Sequence, residues 1–239
     1  MQEFYRTLLD LLFPQRGCPL CGSRQEAGLC EECRRFLAQA AGEPFCPVCG
    51  RFFSAPGEGL CLECLKQSWP FTMCRAVAPY EKTLRDAVHR LKFKGWRAGV
   101  HFFGGLMAAS LKREPAYRQV SIVVPVPLSK GRLKERGFNQ AELLAKEVAL
   151  SCGLSYSPVL AKVAETPAQV HLDRVSRLTN IKNSFRIKDS FAVKGKRVAV
   201  VDDVFTTGST MAAAAETLLE AGAQEVFGLV LAAGRTFPK

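Results

Sequence analysis

The stretch VAVVDDVFTTGST, Val198 to Thr210, carries two adjacent acids out of an apolar run, then four hydroxyl residues and one glycine into a helical pattern. An apolar run of this kind is a strand buried on both faces, as in a parallel sheet covered by helices. In such sheets ligands sit at the carboxyl ends of the strands. Free backbone amides at the helix start, with the hydroxyls of Thr206, Thr207, Ser209 and Thr210, suit a phosphate monoester, and Gly208 lets the backbone approach it. The carboxylates of Asp202 and Asp203 would accept hydrogen bonds from vicinal sugar hydroxyls. A phosphate beside a diol describes ribose 5-phosphate. A plain strand–turn–helix with a Ser or Thr cap accounts for one hydroxyl but not for the paired acids. Neither a Walker A pattern nor GxGxxG occurs, so ATPase and dinucleotide readings have no support.

Patterning on both sides of this stretch extends the same architecture. The segment AVAPYEKTLRDAVHRLKFKGWR (76–97) reads as a short strand followed by a helix with Leu84, Val88 and Leu91 on one face. A second helix is expected over 98–112, an apolar strand ending in a turn over SIVVPVPLS (121–129), and a helix over 139–152. A polar, turn-rich stretch at 161–184 includes a short helix near 171–181, and strand 196–203, helix 209–222 and strand 225–233 follow. Alternation of this kind predicts an α/β unit with a parallel central sheet, beginning near residue 75.

The first third of the chain has different chemistry. Eight of the ten cysteines form four CxxC pairs: Cys18/Cys21, Cys30/Cys33, Cys46/Cys49 and Cys61/Cys64. Without an export signal the compartment is reducing and cytoplasmic, which favours metal over disulfides. CPLCG followed by CEEC, then CPVCG followed by CLEC, is an internal repeat displaced by 28 residues. Each copy is self-contained, which favours one zinc on Cys18, Cys21, Cys30 and Cys33 and a second on Cys46, Cys49, Cys61 and Cys64, over an interleaved cross-brace. No position for a bound water is visible, so both zincs are read as structural, supplying the stability that a segment poor in large apolar side chains lacks. The expected organisation is an N-terminal amphipathic helix (1–14), a double zinc ribbon (15–74) and the α/β unit (75–239). Cys74 and Cys152 are read as buried small hydrophobes.

The 239 residues, 48% hydrophobic and 23% charged, exclude a disordered or fibrous chain, and no apolar run is long enough to insert in a membrane. The net charge of +11 is uneven: residues 1–74 hold 7 basic and 8 acidic side chains, whereas 75–136 alone hold 14 and 4. Such a belt points to a polyanionic partner, nucleic acid or a phosphate-rich small molecule, with a solvated surface as the bland alternative. Arg90, Lys92, Lys94 and Arg97 are the nucleic-acid candidates, and Phe93, Trp96 or Phe138 would stack on bases.

VVDDVFTTGST resembles the phosphoribosyl-pyrophosphate (PRPP) motif of type I phosphoribosyltransferases. RLKERGFNQAELLA (132–145) and TPAQVHLDRVSRLTNIKNSF (166–185), downstream of a double zinc ribbon, resemble the ComF family of ComFC and GntX-like proteins. The resemblance covers nearly the whole chain. It implies a type I phosphoribosyltransferase-like parallel sheet with flanking helices, magnesium with PRPP, and a role in DNA uptake during natural competence, with single-stranded DNA and a competence helicase as possible partners. It places Asp202 and Asp203 on the ribose hydroxyls, as the candidate catalytic pair, and Thr206, Thr207, Gly208, Ser209 and Thr210 on the 5-phosphate. The turn of Ser129, Lys130, Gly131 and Arg132 matches the family's pyrophosphate loop. Arg132 and Arg136 would face the pyrophosphate or another anion, with Gly137 and Asn139 shaping the loop; a solvated basic turn is the alternative for either arginine. Thr166, Gln169, Arg177 and Asn180 match the hood segment. Lys162 stands where arginine is usual, which keeps the charge but not a bidentate contact.

Three functions stay open at this level: a transferase moving phosphoribose from PRPP to an unidentified base or amine, a PRPP-binding protein without turnover, and a single-stranded DNA-binding competence factor. A combination of the last two is favoured. Nothing in the chain specifies an acceptor pocket.

Overall fold

A computed structural model of the chain describes residues 17–24, 28–93, 97–163 and 184–238, with residues 97 and 98 described by their backbone alone. The expected N-terminal helix, Lys94, Trp96, the side chain of Arg97, the helix near 171–181 and the hood residues Thr166, Gln169, Arg177 and Asn180 lie outside the described residues.

The strands, in chain order, are β1 (Phe52–Phe53), β2 (Met73–Pro79), β3 (Ile122–Pro125), β4 (Ser155–Tyr156), β5 (Leu160–Lys162), β6 (Phe185–Ile187), β7 (Arg197–Phe205), β8 (Glu225–Ala233) and β9 (Arg235–Thr236). The helices are α1 (Glu31–Gly42), α2 (Leu62–Lys66), α3 (Lys82–Phe93), α4 (Arg97–Arg113), α5 (Lys130–Arg136), α6 (Gln140–Cys152) and α7 (Ser209–Glu220). The main sheet has the order β2-β8-β7-β3-β4, and every pairing in it is parallel. Strands β7 and β8 lie at its centre because their residues are apolar on both faces, as a doubly covered strand requires.

Alternation along the strands separates the interior into two buried layers. Val198 and Val200 of β7 and Val226 and Val230 of β8 pack with Met211, Ala214 and Leu218 of α7. Ala199, Val201, Phe227 and Leu229 belong to the opposite layer, with Leu84 and Leu91 of α3, Phe103 and Met107 of α4, and Leu144 and Val148 of α6. The cysteine-rich segment joins both layers. Cys18, Leu20 and Cys33 belong to the α3/α4/α6 layer. Cys46, Cys49, Phe52 and Cys61 belong to the α7 layer. Gly50 shows how close the second ribbon lies to β2. Its φ is +69°, and a Cβ there would come within 2.5 Å of the Cys74 carbonyl oxygen. Cys74 is fully buried, whereas Cys152 is only half-buried.

The turn expected after β3 passes directly into a helix. Ser129 caps a short helix, α5, accepting a hydrogen bond from the Arg132 amide at 3.4 Å. Gly137 ends that helix with φ +76°, and Asn139 caps α6 by accepting from the Ala141 amide at 3.1 Å. Among the described residues no helix is long and apolar enough to cross a membrane.

Candidate functional site

The carboxyl end of the central strand β7 carries Asp202 and Asp203, and alternation turns their side chains to different neighbours. Asp203 is buried; its Oδ2 accepts a hydrogen bond from Gln140 Nε2 at 3.0 Å and pairs with Lys92 Nζ at 3.2 Å. Asp202 Oδ1 accepts from the Asp203 amide at 2.8 Å. Burial, together with the negative charge of Asp203, pushes the Asp202 carboxyl up to about 7, against the opposing pull of that amide and of Lys92 and Lys162. The pair is therefore a site short of positive charge at neutral pH.

Beyond Phe205 the chain turns through exposed Thr206 and Thr207 into α7. Gly208 occupies the helix N-cap with φ +84°. A Cβ there would lie 2.6 Å from the Phe205 ring and 2.8 Å from the Trp69 ring, so glycine is required by conformation and by space alike. Thr207 Oγ1 and Ser209 Oγ are 2.9 Å apart. Asp202, Thr206, Thr207, Gly208 and Thr210 line a cavity of about 20 Å³. That is room for about one water, so a phosphoryl group would meet the loop at the cavity's mouth.

The basic residues near this end play different parts. Lys92, one of the nucleic-acid candidates, lays its ammonium against Asp203 in the acidic site. Arg136 stacks over the Phe93 ring, 4.9 Å from its centroid, which brings α5 to the end of α3. Arg132 and Lys130 are exposed on α5. Arg90 donates to the Leu20 carbonyl oxygen of the first ribbon. His101 pairs with Glu147 at 2.9 Å on the exposed side of α4. Gln140 and Trp69 escaped the sequence reading. Asn139 gave the helix start that carries Gln140, but nothing in the sequence reports that its amide reaches a residue 63 positions away.

The cysteines gather into two quartets, Cys18/Cys21/Cys30/Cys33 and Cys46/Cys49/Cys61/Cys64, with the sulfurs of each within 4.8 Å of one another. Cys21 to Cys30 and Cys49 to Cys61 both measure 3.7 Å between sulfurs. A tetrahedron with zinc–sulfur bonds of about 2.3 Å has edges of about 3.8 Å, so the donor set fits zinc. The charge argument agrees. A hydrogen bond from the Cys49 thiol, partly opposed by burial, brings Cys46 down to about 4, while the same bond and burial push Cys49 far up. Without a cation one ionised sulfur holds its neighbours protonated; four thiolates need a divalent ion. N–H groups surround the second quartet: Arg51 Nε donates to Cys49 at 3.5 Å, the Cys61 amide to Cys46 at 3.5 Å, and the Trp69 indole to Cys64 at 3.2 Å. Such donors favour anionic sulfur and fix its direction.

A parallel sheet bearing paired acids and a hydroxyl-rich helix entry, attached to two four-cysteine zinc sites, defines a phosphoribosyltransferase-type protein with a double zinc ribbon. Residues 8–70 match the double zinc ribbon domain family and 133–236 the phosphoribosyl transferase domain family. The chain belongs to the ComF family. It is 34% identical over 203 residues to the DNA utilization protein YhgH of Salmonella typhimurium, covering 83% of this chain and 87% of that protein. It is 30% identical over 200 residues to the competence protein ComFC of Bacillus subtilis, covering 81% of this chain and 79% of that one. Among solved structures it is similar to a glutamine PRPP amidotransferase from B. subtilis, at 23% identity and TM-score 0.38, over 54% of this chain and 26% of that one.

Proposed function

We propose that this chain is a cytoplasmic DNA-uptake or DNA-utilisation factor that binds PRPP with magnesium and handles single-stranded DNA, with a competence helicase as partner. The observation that carries the ligand reading is the Asp202–Asp203 pair beside the Thr206–Thr210 loop at the end of a central parallel strand. In this reading Asp202 and Asp203 hold the ribose hydroxyls. The loop amides and hydroxyls receive the 5-phosphate, and Arg132 and Lys130 meet the pyrophosphate. Magnesium, bound through phosphate oxygens and water, would neutralise the charge that the acids and pyrophosphate would otherwise set against each other. Lys92 holds Asp203 in the absence of ligand and is placed to release it to the sugar. The names of the relatives support the DNA role, as does the concentration of basic residues over 75–136.

Calorimetry with PRPP and magnesium tests the ligand reading. Asp202→Asn together with Asp203→Asn should weaken binding by about 1.5–3 kcal/mol for each charged hydrogen bond lost, and unchanged affinity would mean that the acids do not touch the sugar. The pH dependence has a definite sign. A carboxyl raised to about 7 in the free protein holds its proton below that pH. Ligand that needs the carboxylate must then expel the proton, so affinity should fall as pH drops through about 7 and level off above it. Single-stranded DNA affinity should fall with salt at a slope of roughly −0.7 per phosphate neutralised. The second reading, a working transferase, is favoured by the match of 133–236 to the phosphoribosyl transferase domain. Pyrophosphate release with a panel of bases and amines separates it from ligand binding alone.

A further inference from the structure

Trp69 lies between the last zinc knuckle and β2, and its two ends touch different machinery. Its indole N–H donates to the Cys64 sulfur at 3.2 Å. The far edge of the same ring covers Gly208, where a Cβ would stand 2.8 Å and 2.9 Å from two of its carbons. The ring is held in that position by two other aromatics. It stacks on Phe71 with centroids 5.3 Å apart and planes at 18°, and it meets Phe205 edge-on at 6.2 Å. Phe71 and Phe205 meet each other edge-on at 6.1 Å. Phe205 is the last residue of β7 and Gly208 the N-cap of α7, so the indole touches the phosphate loop where it leaves the strand and where it enters the helix.

The geometry points to Trp69 as a positioning residue that couples the Cys46/Cys49/Cys61/Cys64 zinc site to the phosphate loop, so that metal occupancy of the second ribbon sets the loop's shape and its affinity for a phosphoribosyl ligand. The ligand half of this statement rests on the function proposed above; the coupling to the loop does not. The physical link is short. A zinc-held sulfur is anionic and fixed in place, and an N–H donor to it is oriented more strongly than to a neutral thiol free to turn. A rigid indole has no intermediate joint, so losing its anchor at Cys64 shifts the edge that packs on Gly208. Among the described residues the first ribbon shows no such path, since Cys18, Leu20 and Cys33 pack into the opposite layer of the sheet.

Trp69→Phe keeps an aromatic ring but removes both the N–H donor and the ring carbons over Gly208, so the coupling is read from the response to zinc and not from this variant alone. The full chain should be prepared as wild type, Trp69→Phe, Cys30→Ser and the double variant, with zinc content measured. Amide exchange of 205–210 and calorimetry with ribose 5-phosphate are the readouts. With both zincs bound, Trp69→Phe should exchange faster at 205–210 and bind ribose 5-phosphate roughly five- to tenfold more weakly. Cys30→Ser, which removes the first zinc, should match wild type in both. Stripping the remaining zinc from Cys30→Ser should deprotect 205–210, and the same treatment of the double variant should change 205–210 little further. A packing role alone predicts an equal response to zinc removal with Trp or Phe at 69, and that result overturns the proposal. So does unchanged exchange at 205–210 in Trp69→Phe. Wild-type protein that does not bind ribose 5-phosphate or PRPP would remove the ligand reading, while the exchange measurements still decide the coupling.

Discussion

Around the first zinc quartet Cys18 and Cys33 are buried while Cys21 and Cys30 are half-buried, whereas in the second Cys46, Cys49 and Cys61 are wholly enclosed and Cys64 alone is half-buried. The first ribbon reaches the α/β unit by packing: Cys18, Leu20, Cys33 and Ala40 join the α3/α4/α6 layer, and the Leu20 carbonyl accepts from Arg90. The second is stitched on at several points. Strand β1 pairs in parallel with β9, Cys61 bridges to Pro238, and the Cys74 amide donates to the Val48 carbonyl at 2.7 Å. Arg235 adds a charged joint, with Nη1 on Glu43 at 2.7 Å and on the Phe53 carbonyl at 2.9 Å, and Nε and Nη2 on the two oxygens of Glu81. One repeated pattern thus serves two purposes. As a clamp packed on one layer it adds local order; tied to the sheet by backbone pairing as well, it becomes part of the support for the ligand end of β7.

The largest separation between the two ribbons should come from removing one zinc at a time. Cys49→Ser should lose one zinc and lower the melting temperature by more than about 10 °C, because three of the four cysteines are enclosed and this ribbon is joined to the sheet by backbone pairing. Cys30→Ser should also lose one zinc, yet keep a single cooperative transition within about 5 °C of wild type. Metal analysis with scanning calorimetry checks both. Equal losses from the two substitutions would remove the distinction between the two ribbons.

A middle-sized effect is expected at Arg235, which joins the second ribbon to the sheet without touching either metal. Arg235→Gln leaves Glu43 and Glu81 facing each other with one neutral amide between them. Full burial of such a broken pair costs about 3–5 kcal/mol, and the partial exposure of these side chains lowers the expectation to about 2 kcal/mol. Urea unfolding should show this loss with zinc content intact. A loss of zinc instead would mean that the joint supports the second metal site directly.

The two ribbons were unequally legible in the sequence. The repeat of CxxC pairs predicts both quartets because each ligand set is local, but nothing local reports which ribbon is joined to the rest by strand pairing. That depends on two-residue strands, β1 and β9, whose pairing spans most of the chain and leaves no periodic pattern. Longer elements fared better: strand 225–233 coincides with β8, and helix 139–152 with α6 and its Asn139 cap, because their apolar faces are continuous. The candidate site divides in the same way. Asp202, Asp203 and the loop to Thr210 stand together in sequence and are visible as a unit. Lys92, Gln140 and Trp69 reach that unit from three other elements, and only the tertiary structure brings them in. Short α5 was read as a loop because seven residues of basic and polar character carry no apolar stripe.

The smallest effect concerns Arg90, where the comparison can be sharpened furthest. Its place in the basic belt made it a nucleic-acid candidate, yet its guanidinium donates to the Leu20 carbonyl oxygen and so fastens the first ribbon to α3. Arg90→Met keeps most of the apolar stem and removes the donor. A charged hydrogen bond to a carbonyl at a half-buried position is worth about 1 kcal/mol, or a fall of about 2–4 °C in melting temperature. That small loss should appear locally: one of the two zincs should pass to a chelator faster than in wild type, while the second leaves at an unchanged rate. DNA binding provides the contrast. If Arg90 serves the ribbon, the salt slope for single-stranded DNA stays the same in Arg90→Met. If it meets a phosphate in the complex, the slope becomes shallower by roughly 0.7. Faster release of both zincs together would show that the first ribbon is not a separate clamp but moves with the second.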